Sequence, residues 1–98
     1  MEQYQAERKK LNDVVRVICE DVGLIPDKHH GKVFETIYGI PLLIIARDDD
    51  FRNTQYVINL NTMRPTKNSL YQVRLTSNVV SILKTLDFSY LGIMYHRA

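Results

Sequence analysis

Few residues in this chain have the type and spacing that chemistry requires. Asp48, Asp49 and Asp50 form a carboxylate run, and clustered carboxylates are what Ca²⁺ or Mg²⁺ selects. A calcium loop also needs spaced acidic positions, a central glycine and a distal glutamate, and none of these is present. The run reads instead as a solvated hairpin tip whose charges keep the neighbouring apolar strand from edge pairing. His29 and His30 are adjacent, so their rings cannot share one helix face, whereas zinc sites use histidines about three to five residues apart with further ligands. Cys19 is the single cysteine. It excludes a disulfide within the chain, falls on the apolar face of the first helix, and reads as a buried thiol. No metal or cofactor is expected.

No nucleophile elbow, P-loop or dinucleotide-binding glycine motif occurs. No catalytic residue is assigned, and the chain is expected not to be an enzyme. Net charge is +2, too small to imply nucleic acid by itself. Its distribution is more informative. Residues 64–98 hold five basic residues and one acidic residue, against two and four in 33–63. Arg64, Lys67 and Arg74, with Tyr71 among them, make a candidate nucleic-acid surface: cations neutralise phosphates and an aromatic ring stacks on a base.

These residues must be positioned by a small fold. At 98 residues the chain is one domain, able to bury roughly 60–65% of its unfolded surface. That allows one modest core and leaves little for a deep substrate cavity. The longest apolar run, Ile40–Ala46, is seven residues and contains Pro41, far short of the roughly 20 a membrane helix needs. The polar, mixed-charge start carries no apolar signal region. A cytoplasmic location is the expectation, in keeping with the lone thiol.

Periodicity supplies the elements. Tyr4, Leu11 and Ile18 recur every seven residues, and Val14, Val15, Cys19 and Val22 complete one apolar stripe. The stripe predicts a helix over 3–22, backed by a charged face of Glu7, Arg8, Asp13, Arg16 and Glu20. Gly23 suits a left-handed cap with Leu24 folding back on the last turn, and Pro26 stops continuation. Asp27–Gly31 reads as a turn. Val33–Tyr38, Ile40–Arg47 and Gln55–Asn61 read as strands, the last two as a hairpin. Tyr71, Val73 and Leu75 alternate with polar residues and predict a strand over 70–75. Thr76-Ser77-Asn78 favours a helix start, so a short helix is expected over 78–86, followed by a strand over 88–96. The fold class is α+β: a mostly antiparallel sheet of four or five strands with two helices, in the order α-β-β-β-(β)-α-β.

This element order resembles the core of the restriction-endonuclease-like nucleases. The resemblance implies a divalent-metal nuclease, with Asp48 at the end of the second strand and Glu20 acting from the first helix. The third strand, Gln55-Tyr56-Val57-Ile58-Asn59-Leu60-Asn61, lacks the family's carboxylate and lysine that position a metal-bound water. The first five elements are also similar in order to a double-stranded-RNA-binding domain. The last helix, however, starts Leu75-Thr76-Ser77-Asn78-Val79, without the family's lysine pair, and the chain is not read as a member.

Leu42, Leu43, Ile44 and Ile45 carry apolar side chains of both parities and predict a central strand covered on both faces. Each is worth about 1.5–3 kcal/mol when buried. If both helices share one face, a partner must cover the other. Association is then expected along the helix stripe (Tyr4, Leu11, Ile18) or through the sheet face (Leu43, Ile45), as a homodimer in the simplest case. The reading that follows is a small non-enzymatic protein that occupies a macromolecular partner's surface. An accessory or inhibitor protein of a phage or mobile element, or an assembly subunit, has this profile. Nucleic-acid binding through Arg64–Arg74 is the alternative, and the metal nuclease is a third.

Overall fold

The computed structural model describes residues 2–47 and 54–87, with the side chains of 2–4 left aside. Helix α1 spans Glu2–Val22, followed by a 3₁₀ turn at Pro26–Lys28. The strands are β1 (His29–Glu35), β2 (Pro41–Arg47), β3 (Thr54–Asn59) and β4 (Arg64–Pro65), and helix α2 spans Ser77–Lys84. The sheet is antiparallel, in the order β1-β2-β3-β4. The α+β class and its α-β-β-β-β-α order are thus as the periodicity implied. The expected run 88–96 lies outside the described residues.

The end of α1 follows its local chemistry. Gly23 adopts φ +87, and the Leu24 N–H donates to the Cys19 carbonyl at 2.8 Å. This six-to-one bond satisfies a terminal carbonyl and returns Leu24, which is buried, to the core. At α2 the Thr76 hydroxyl accepts the Val79 N–H at 3.3 Å, the N-cap its sequence predicts.

The core lies on one side of the sheet. Gly31 and Val33 of β1 stand opposite Ile45 and Leu43 of β2, which stand opposite Tyr56 and Ile58 of β3. Leu11, Val14, Val15, Ile18 and Cys19 of α1, and Val79 and Leu83 of α2, join the same buried cluster. Both helices therefore share one face. Gly31 makes this possible: a Cβ there would lie 2.5 Å from Val15 Cγ2, so α1 sits directly on the β1 backbone.

Strand β2 is central, flanked by β1 and β3. Its two faces are not equally covered. Leu43 and Ile45 are fully buried under the helices, whereas Leu42 and Ile44, pointing the other way, are half-buried.

Four expectations are corrected. Gly31 belongs to a strand, because β1 begins at His29 and pairs with β2 along its whole length. Ile37 and Tyr38 leave the strand at its other end and form a turn. The segment 70–75 is irregular, and the fourth strand is Arg64–Pro65. Ser69 explains the change: its Oγ accepts the Val57 N–H at 3.0 Å and donates to the Tyr71 carbonyl at 2.6 Å. A side-chain hydroxyl takes the place of a ladder carbonyl, and the Leu70 and Tyr71 N–H groups then converge on one β3 carbonyl, that of Gln55, so the segment lies beside β3 without a regular ladder. Glu7, expected on the solvated back of α1, is instead buried at 1% exposure.

Candidate functional site

The β1–β2 connection is a tightly bonded loop that presents apolar side chains. The Gly39 N–H donates to the Thr36 carbonyl at 2.9 Å, and the Thr36 N–H donates to the Ile40 carbonyl at 3.0 Å. The Thr36 hydroxyl accepts from the N–H groups of Tyr38, at 3.2 Å, and Ile40, at 3.1 Å. Gly39 closes the loop at φ +80, which an L side chain adopts only with strain. This is a three-residue hairpin of turn-plus-left-handed-glycine form. Four backbone N–H groups, those of Thr36, Tyr38, Gly39 and Ile40, are satisfied within the loop, while Ile37 is 93% and Tyr38 84% exposed. Turn tips ordinarily carry Gly, Asn, Asp, Ser or Pro. An isoleucine–tyrosine pair there gains nothing from the fold that holds it.

The tip residues read as strand formers in the sequence. The signal that places them in a turn is Thr36 three residues before Gly39, a hydroxyl acceptor facing a residue free to take positive φ.

The residues expected at an association surface lie elsewhere. Leu11, Ile18, Leu43 and Ile45 are buried within the chain at 0–1% exposure. Their apolar area meets the chain's own helix–sheet interface, and no partner reaches it without unfolding. The side chain of Tyr4 lies outside the described residues.

The basic set is only partly gathered. Arg64, Lys67 and Arg74 are all exposed, and none makes an ion pair among the described residues. Arg64 stands beside Asn59 at one end of β3. The Tyr71 N–H bonds to the Gln55 carbonyl at 3.2 Å near the other end, and Arg74 lies beyond it in sequence. Tyr71 is half-buried and packs against the core cluster, so its ring is not the free stacking platform its sequence position implied.

For the nuclease reading, Glu20 is exposed on α1, and Asp48 lies outside the described residues. No group of three or more His, Cys, Asp or Glu side chains able to hold a metal occurs among the described residues. The Cys19 thiol is buried, and burial pushes it up to about 11, which removes thiolate at neutral pH. No helix of the described residues is long and apolar enough to cross a membrane.

Compared with known proteins, the chain matches no family model, no curated protein and no solved structure.

Proposed function

We propose that this chain is a non-enzymatic protein-binding module that docks through Ile37 and Tyr38 at the β1–β2 tip. The observation that carries the reading is the near-complete exposure of both side chains on a loop whose backbone is already hydrogen-bonded. Ordering a contact loop costs free energy on binding, and a preorganised loop avoids most of that cost. Tyrosine is enriched among residues that dominate interface energy, because it buries a large ring and keeps a polar tip. A partner protein with an apolar pocket suits the pair. The reading accommodates an accessory or inhibitor protein of phage or mobile-element type, or a subunit of a larger assembly.

The test is affinity capture from native extract with the wild type and an Ile37→Asp/Tyr38→Ser variant, followed by mass spectrometry. A partner retained by the wild type and lost by the equally folded variant supports the proposal. An identical set of captured proteins overturns it. Light scattering of both forms assigns the occupant: a wild-type dimer that the variant abolishes makes it a second copy of the chain.

A further inference from the structure

At the other end of β1 the chain builds a cleft of different chemistry. Arg8, Asn12 and Arg16 stand at successive i, i+4 positions and so share one side of α1. Together with Asp27, His29 and His30 they line a cleft of about 480 Å³. That volume falls within the roughly 300–1,000 Å³ of small-molecule sites.

The charges of the cleft are unequally committed. Asp13 is held by Lys9 at 2.9 Å and Asp27 by Arg16 at 2.5 Å. Both carboxylates at the cleft thus have cations. Arg8 is half-buried and has no hydrogen bond or ion pair among the described residues. His29 is buried, and its Nδ1 lies 2.8 Å from the Ile25 carbonyl. A carbonyl only accepts, so Nδ1 carries the proton. Nε2 is left to accept from a ligand hydroxyl. Gly31, at the margin of the cleft, adds no side chain to fill it.

We infer that this cleft binds a small organic phosphate, with the uncommitted Arg8 guanidinium on the phosphate oxygens and His29 Nε2 on a hydroxyl of the ligand. A guanidinium fork matches phosphate geometry and forms charge-assisted hydrogen bonds. Asn12, between the two arginines, offers both a donor and an acceptor to the remainder of the molecule. The site is separate from the hairpin tip, since β1 runs seven residues between them, about 20 Å.

The experiment is a ¹⁵N-resolved NMR titration at constant ionic strength with adenosine monophosphate, inorganic phosphate and adenosine. Saturable shifts centred on His29, His30 and Gly31 are expected with the nucleotide, weaker saturable shifts at the same amides with inorganic phosphate, and none with adenosine. Arg8→Gln, at a half-exposed position outside the core, weakens nucleotide binding by about tenfold, the weight of one charge-assisted contact. Asn12→Ala, also at an exposed cleft position, serves as a second variant and is expected to weaken nucleotide binding. Shifts that rise linearly without saturation, that adenosine reproduces, or that keep their midpoint in both variants overturn the inference. Partner capture through Ile37 and Tyr38 is unaffected in Arg8→Gln, so the two proposals fail separately.

Discussion

Glu7 and Asp87 are 80 residues apart in sequence, yet the Asp87 N–H donates to Glu7 Oε1 at 2.6 Å. Lys10 Nζ lies 2.9 Å from the other carboxylate oxygen. The buried carboxylate thus ties the middle of α1 to the chain just beyond α2. Glu7 stands four residues before Leu11 and seven before Val14, a position in the apolar stripe where a hydrophobic side chain is the default. A charge placed there needs partners, and the fold supplies two.

The Lys10 contact and the Asp87 N–H hold the Glu7 carboxyl below its ordinary value of 4.5. A depressed folded-state value means stability that is present above the unfolded value and lost as pH falls through the folded one. Glu7→Gln should therefore lower Tm at neutral pH more than Glu20→Gln at the exposed site does. The difference between wild type and Glu7→Gln should shrink as pH drops below about 4. Thermal melts across that range check this, and parallel curves for the two proteins would refute it.

Gly31→Ala should destabilise by about 1–3 kcal/mol, the usual cost of forcing an extra group into a packed site. The added methyl meets Val15 Cγ2 at 2.5 Å. Val15→Ala in the same chain should recover part of that loss. A denaturant double-mutant cycle measures the coupling; strict additivity would mean that the helix does not rest on Gly31.

At the hairpin tip, Ile37→Ser and Tyr38→Ser should each change stability by no more than about 0.5 kcal/mol, as exposed positions do. Gly39→Ala should cost about 1–2 kcal/mol, because it places a Cβ at positive φ. Equilibrium unfolding distinguishes the two classes. A large loss from either serine variant would show that the pair supports the fold and is not displayed for a partner.

Tyr56 is fully buried, and burial pushes its phenol up to about 12. Its hydroxyl donates to the Val73 carbonyl. Absorbance titration should show a phenol ionising near pH 12, and Tyr56→Phe should remove that step while costing about 1 kcal/mol. Cys19 should react with a thiol reagent at pH 8 only as the chain unfolds. Fast labelling of the folded protein would contradict its burial.

If nucleic acid binds at the basic segment, the affinity must fall steeply with salt, and charge reversal at Arg64 and Lys67 must abolish it. A gel-shift series across salt decides this. Binding indifferent to salt, or unaffected by Arg64→Glu/Lys67→Glu, would exclude that surface.

Where the determining interactions are local, the sequence alone was sufficient. The seven-residue recurrence of Leu11 and Ile18, the cap at Gly23 with Leu24, the β-forming run around Tyr56, Val57 and Ile58, and the Thr76 cap all depend on residues within a turn or two of one another. They fixed α1, β3, the start of α2 and the α+β class. Tertiary structure decided what depends on distant pairing. Ser69 reaches Val57, and the Leu70 and Tyr71 N–H groups share the Gln55 carbonyl, so no regular ladder forms at 70–75 although the alternation there is regular. Leu11, Ile18, Leu43 and Ile45 fit an interface or a core equally well by pattern. The close seat of Val15 on Gly31 brought α1 onto the sheet and placed these four inside the chain, while the bonds of Thr36 within the β1–β2 loop hold Ile37 and Tyr38 in solvent. Periodicity says which side chains avoid water, whereas only the packed arrangement says which surface removes them from it.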